Sequence, residues 1–165
     1  MSEKEIYSGP NFRYRPDKNN FTEKEGSEFF YYESGQLKAE YNYKNGKLDG
    51  FAREYYENGQ LIAEGNYSNG KLEGISKMYY ESGQLRSENS YKNNLLNGIS
   101  KTYYENGQMK MEVLHKNGKK DGIEKRYLTT GILIVEFPYK NGKLHGVVKE
   151  YDEISGKLKL EGPYK

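Results

Sequence analysis

Residues 51–74 read FAREYYENGQLIAEGNYSNGKLEG, and close copies of this stretch follow one another along the chain. The tetrapeptide Glu57-Asn58-Gly59-Gln60 returns as Glu105-Asn106-Gly107-Gln108. In the form ESGQ it stands at Glu33-Ser34-Gly35-Gln36 and Glu81-Ser82-Gly83-Gln84, each copy 24 residues from the next. Gly26, Gly50, Gly74, Gly98, Gly122 and Gly146 keep the same spacing. A period of this length marks an array in which each unit packs only on its neighbours. Counting each unit from the residue after such a glycine gives full repeats at 27–50, 51–74, 75–98, 99–122 and 123–146. A partial sixth, 147–165, carries one extra residue near Ile154-Ser155. Residues 1–26 are expected to be a degenerate N-terminal cap, with Lys18-Asn19-Asn20 echoing the later turns.

Each unit holds two turn signals, E-[NS]-G-Q at positions 7–10 and K-N-G-K at positions 18–21, as in Lys44-Asn45-Gly46-Lys47. Asn-Gly suits a two-residue type I′ loop, where both central residues need positive φ. The segments between turns have strand length, so each repeat reads as two strands of an antiparallel meander. With Asn-Gly at 8–9 as a two-residue loop, position 6 should face 11, 5 should face 12 and 3 should face 14. At the second turn 17 should face 22. Side chains alternate between the faces of a strand. One face then gathers positions 6, 11, 13, 17 and 22, which in the second repeat are Tyr56, Leu61, Ala63, Tyr67 and Leu72. The other gathers positions 1, 3, 5, 12, 14 and 16.

Charge supports that register. Position 14 is Glu40, Glu64, Glu88, Glu112 and Glu136, and position 3 is Arg53, Lys77, Lys101, Lys125 and Lys149. Opposite charges facing each other across a strand pair contribute about 0.2–1 kcal/mol. The glycine at position 24 falls inside the longer strand, where it favours a bend or a close approach of backbones. The fold expected is all-β: an elongated, curved antiparallel β-meander of tandem 24-residue hairpins.

Composition agrees with a folded chain and a thin core. The 165 residues hold 26 Lys plus Arg against 24 Asp plus Glu, a formal net charge of +2. So balanced a surface gives no field directed at DNA or an anionic membrane. Eighteen tyrosines supply strand-forming side chains that tolerate half exposure. Without cysteine there is neither a disulfide nor a thiolate metal site. No apolar run approaches the roughly 18 residues that span a bilayer, so membrane contact is disfavoured. The opening MSEKEIYSGP lacks the apolar centre of a signal peptide. A cytoplasmic protein is expected if the chain is full length, and a secreted or envelope-associated one if a signal peptide was trimmed.

The pattern G-x4-Y-Y-[ED]-x-G-Q-L-x2-E-x2-Y-x-N-G-K-L-x-G over residues 26–165 resembles the MORN repeat, and more closely its bacterial variant, which occurs in antitoxin-like proteins of the YwqK type. The resemblance implies an antiparallel β array acting as a binding or scaffolding surface, with no catalytic residue to carry over. This chain departs from the pattern in places: Asn94 stands for glycine, His115 for tyrosine, Lys120 for leucine, and Leu128-Thr129-Thr130-Gly131-Ile132 for the usual turn. These departures mark the C-terminal half as the place for a site unique to this chain.

Little else points to chemistry. The glutamate column is about 10 Å from one member to the next, at two strand spacings each, too regular and too wide for paired catalytic carboxylates. His115 and His145 lie in different repeat positions with no third ligand at metal spacing, so neither a metal nor a cofactor is expected. The glycines fall in hairpin turns rather than in a strand-to-helix phosphate loop. The candidate binding residues are the position 5 tyrosines, Tyr31, Tyr55, Tyr79, Tyr103, Tyr127 and Tyr151, which share their face with Lys and Glu. They read either as rings covering lysine stems and position 1 side chains or as aromatic anchors for a partner. Interspersed glutamates argue against single-stranded nucleic acid on that ladder, while a glycan stays open. A protein partner is expected, a toxin if the resemblance extends to function. Self-association and a structural scaffold role are the alternatives.

Overall fold

The computed structural model describes residues 24–163 and contains no helix among them. Its strands are β1 (Gly26–Tyr31), β2 (Leu37–Lys44), β3 (Lys47–Tyr55), β4 (Leu61–Ser68), β5 (Lys71–Tyr79), β6 (Leu85–Lys92) and β7 (Leu95–Tyr103). They continue as β8 (Met109–Lys116), β9 (Lys119–Lys120), β10 (Gly122–Tyr127), β11 (Leu133–Lys140), β12 (Lys143–Leu144), β13 (Val147–Tyr151) and β14 (Leu158–Pro163). All belong to one antiparallel sheet paired in sequence order, with the two-residue β9 and β12 beside β8 and β11. Twelve strands therefore follow one another along the main path, a span of about 50 Å at the usual strand spacing. The meander of two strands per repeat is the fold. The Lys18-Asn19-Asn20 echo lies outside the described residues.

The K-N-G-K turns form as expected. Asn45 and Gly46 have φ of 49° and 71°, and Lys44 pairs with Lys47 across them. Asn94, at φ 66°, takes the place of glycine within the same backbone region.

The E-N-G-Q turns differ from the two-residue loop expected. The Tyr56 N–H donates to the Gln60 carbonyl at 2.8 Å, and the Gly59 N–H donates to the Tyr56 carbonyl at 2.9 Å. The loop is thus three residues, Glu57-Asn58-Gly59, and of these only Gly59 has positive φ, 84°. Tyr55 consequently lies opposite Leu61 rather than Ile62, and Tyr56 closes the loop instead of facing Leu61. A bulge at Ile62 then restores the count, so Glu54 faces Ala63 and Arg53 faces Glu64. One extra residue in the loop and one in the bulge cancel, and every rung further in keeps the expected register.

The glycine at position 24 lies at a second irregularity. Asp49, Gly50 and Phe51 of β3 are all spent opposite Asn42 of β2. Gly50 has φ 105°, and a Cβ there would meet Asn42 Cβ at 3.2 Å; at Gly98, φ 124°, it would meet Ser90 Cβ at 2.7 Å. The close approach expected of this glycine occurs, at a break in the strand register. In β9–β10 and β12–β13 the interruption is complete and the long strand divides.

The core is one face of the sheet. Ala39, Tyr41, Tyr43 and Ala52 are buried together, with Leu48 and Tyr67 packed on them. Further along, Ala63, Leu72, Ser76, Ser87, Ser100, Val113, His115 and Glu124 are buried. These residues occupy positions 2, 13, 15, 17 and 22. Positions 13, 17 and 22 were expected and 2 and 15 were not, while 6 and 11, expected on this face too, instead close the loop and lie opposite the position 5 tyrosines. In the first two repeats the small side chains Ala39 and Ala52 share one cluster with the rings of Tyr41, Tyr43 and Tyr67.

Candidate functional site

The face away from this core carries three columns that run across the strands. The middle column is the charged one. Glu40, Arg53, Glu64, Lys77, Glu88, Lys101, Glu112, Lys125, Glu136, Lys149 and Glu161 stand opposite one another on successive strands. The pairing expected within a repeat therefore extends between repeats, and charge alternates in sign across the sheet. Arg53 lies 3.9 Å from Glu40 and 3.7 Å from Glu64, and Lys77 lies 3.9 Å from Glu88. Ion pairs this long and partly solvated contribute little each; their alternation chiefly excludes slipped registers, which would set like charges together.

The second column holds the candidate tyrosines. Tyr31, in the first repeat, is 60% exposed. Tyr55, Tyr79, Tyr103, Tyr127 and Tyr151 are half-buried, opposite Leu61, Leu85, Met109, Leu133 and Leu158. The Tyr79 hydroxyl donates to Glu64 at 2.7 Å and that of Tyr151 to Glu136 at 2.9 Å, which ties the rings to the charged column. Burial, the hydrogen bond to Glu64 and the charges of Glu64 and Glu88 push the Tyr79 phenol up to about 12. Burial and the charges of Glu112 and Glu136 raise Tyr127. The Tyr79 phenol therefore stays a neutral donor to Glu64 across the physiological range.

The third column is apolar. Position 1 supplies Phe51, Ile75, Ile99, Ile123 and Val147, all substantially exposed.

Contacts that repeat every 24 residues stitch the units, and sequence reasoning missed them. The position 6 hydroxyls of Tyr32, Tyr56, Tyr80 and Tyr104 donate to the carbonyls of Tyr55, Tyr79, Tyr103 and Tyr127 in the following repeat. At the other edge Asp49, Glu73 and Asp121 accept the backbone N–H of Asn69, Asn93 and Asn141. The usable signal was the recurrence of Asp, Glu or Asn at position 23.

The fifth repeat breaks the pattern on the buried face. Glu124 is 0% exposed, where the second, third and fourth repeats carry Ala52, Ser76 and Ser100 and the first carries the half-buried Glu28. It accepts from Lys120 Nζ and from Arg126 Nε, each at 2.6 Å. Burial alone would raise its pKa, but the two cationic donors outweigh burial and hold it below the usual carboxylate range. His115, buried beside Lys120, is held below its ordinary value by burial and by that charge. Lys120 also lies 4.8 Å over the Tyr139 ring, and Arg126 4.9 Å over Phe137. The substitutions His115 and Lys120 noted in sequence are thus two members of one cluster, and the buried Glu124 is its centre.

Among the described residues no three His, Cys, Asp or Glu side chains gather as metal ligands would. His115 is buried and His145 exposed, and Glu64, Glu88, Glu112 and Glu136 of the charged column each stand between two bases.

A continuous antiparallel sheet of closely similar hairpins, with one face for the core and one presented outward, defines a β-hairpin repeat array. The family model of the MORN repeat variant matches six tandem segments, residues 24–45, 48–69, 72–93, 96–117, 120–141 and 144–165. The chain belongs to that family, one of non-enzymatic repeat modules that mediate protein or membrane interactions. No curated protein matches the chain.

Proposed function

We propose that the chain is a non-catalytic protein-binding array that neutralises a toxic protein by binding it directly. The observation that carries this reading is the outward face. It repeats half-exposed tyrosines, an alternating charge column and exposed apolar side chains at a fixed spacing, and the core needs none of the last. Tyrosine with its rigid ring suits interface anchors, so Tyr31, Tyr55, Tyr79, Tyr103, Tyr127 and Tyr151 are the proposed contact residues. The alternating column gives register to a docking partner. The resemblance to antitoxin-like repeat proteins supports a toxin as that partner. Co-expression of the chain with each product encoded beside its gene tests the reading. A toxic neighbour should co-purify at one-to-one stoichiometry and lose its toxicity. If no toxic neighbour binds, the reading is wrong.

A further inference from the structure

The outward face changes character halfway along. In the first repeats position 16 is polar: Asn42 accepts from Ser27 and donates to the Phe51 carbonyl, and Asn66 and Ser90 follow at the same place. From the fourth repeat this position turns apolar, with Leu114 opposite Ile99, Pro138 opposite Ile123 and Pro163 opposite Val147. Leu114 lies against Gly122, whose Cβ position is 3.1 Å from Leu114 Cβ, and Pro138 lies against Gly146 at 3.4 Å. The two glycines thus let each position 16 side chain reach the next strand. The result is an unbroken apolar stripe across β7, β8, β10, β11, β13 and β14. Ile99 is 47% exposed, Leu114 45%, Ile123 51% and Val147 47%. A change confined to one half of a repeat array is not needed by the repeat.

The flanks of the stripe are unequal. On one side runs the alternating column, where each base stands between acids. On the other, Lys116 faces Lys119 and Lys140 faces Lys143, all exposed. Of these four, only Lys140 has a carboxylate within ion-pair distance among the described residues, Asp121 at 3.3 Å. Like charges set directly across a strand pair are unfavourable, and an acidic surface laid beside them would relieve that. The strands under the stripe are already paired on both sides through β13, so an extended segment lying on this face finds no ladder to join. A helix laid across the strands buries one apolar side without needing backbone partners.

Resting on the protein-binding reading above, we propose that the stripe from Ile99 to Pro163 docks an amphipathic helix with acidic flanks from the partner protein. Five strand spacings give about 24 Å, the length of a helix of about 16 residues.

The probe is a synthetic 18-residue helical peptide with leucines on one side and glutamates flanking them, with a lysine-flanked version of the same peptide as control. Methyl NMR on the full chain reads the site. The acidic peptide should shift the methyls of Ile99, Leu114, Ile123 and Val147 and leave Ile75 unmoved, and salt should weaken it. Leu114→Asn installs the residue that the first two repeats carry at this place, so the fold is retained; binding should fall by roughly tenfold. Equal binding of the basic peptide, shifts centred on Ile75, or an unaltered affinity for Leu114→Asn would each overturn the proposal. So would shifts produced by phosphatidylserine vesicles and not by the acidic peptide. Peptide binding together with failure of every toxic neighbour to bind would leave the surface standing and remove the toxin.

Discussion

The hydroxyl of Tyr80 donates to the backbone carbonyl of Tyr103, in the following repeat, at 2.8 Å. The bond adds a side-chain tie between units to the strand ladder that already joins them, and three further tyrosines make it. Tyr80→Phe removes the donor and leaves the ring. It should cost about 1 kcal/mol, or roughly 2–4 °C in midpoint for a domain of this size. The fifth repeat carries Leu128 at this position, so Leu128→Tyr should add the bond to the Tyr151 carbonyl and raise stability by a few tenths to about 1 kcal/mol. Thermal unfolding of both variants checks this. Two unchanged midpoints would mean that the hydroxyls serve only solubility.

The charged column makes a sharper demand. Glu88 stands between Lys77 and Lys101, and Lys77 between Glu64 and Glu88. Glu88→Lys places three bases in a row and should cost about 1–2 kcal/mol, since both neighbours become repulsive. In an isolated pair, adding Lys77→Glu would restore the loss. Here the double variant sets the introduced carboxylate beside Glu64 and the introduced ammonium beside Lys101, so it should remain less stable than the parent. A double variant as stable as the parent in urea unfolding would show that the column is a set of separate pairs.

How far the sequence carries the fold can be judged at the two turns. Asn45, Asn69, Asn93, Asn117 and Asn141 all have positive φ, and asparagine stands there in every full repeat. At the other turn position 8 is Asn58 or Asn106 but also Ser34 or Ser82, and none of them has positive φ. Serine rarely adopts that conformation, so its presence signalled a longer loop with a single left-handed glycine. The charged rungs hid this, because the Ile62 bulge returned the register to the value a two-residue loop would give. A local pattern reports local geometry, and two compensating irregularities leave no mark beyond themselves. On the outward face the sequence located the tyrosines and the charges. Glu124 escaped notice because a charged residue in a lysine- and glutamate-rich chain reads as surface. Only its neighbours His115, Lys120 and Arg126 show it to be the buried centre of a charged cluster.

High pH should unfold the array through its tyrosines. Burial and carboxylate neighbours raise the folded-state phenols of Tyr41, Tyr67 and Tyr127, burial raises that of Tyr91, and Tyr79 is pushed to about 12 against an ordinary 10.0. A pKa raised by folding contributes stability that is complete below the unfolded value and lost as pH climbs through the folded one. The midpoint should therefore hold level to about pH 9.5 and decline between about pH 10 and 12. Tyr79→Phe should shallow that decline. A level midpoint across the whole interval would mean that the phenols ionise without opening the sheet.

The buried cluster of the fifth repeat should behave as a unit. Glu124→Ser installs the residue of the third and fourth repeats, but it strands Lys120 and Arg126 without their acceptor. Breaking a buried pair from one side costs about 3–5 kcal/mol; both cations retain a path to water, so about 2 kcal/mol is expected here. Adding Lys120→Leu, the residue of the neighbouring repeats, removes the stranded charge and should recover most of the loss, because apolar packing commonly equals a buried ion pair. Acid acts on the same group of residues. His115 has a folded pKa below its ordinary 6.5 and Glu124 one below 4.5. Both contributions are present above those values and are lost as pH falls through the folded ones. Stability should thus decline first through His115 and then through Glu124. His115→Tyr, matching Tyr43, Tyr67, Tyr91 and Tyr139, should abolish the first decline and spare the second. Urea unfolding of the parent and this variant from pH 7 downward measures both declines. An unchanged first decline in His115→Tyr would place its origin elsewhere in the sheet.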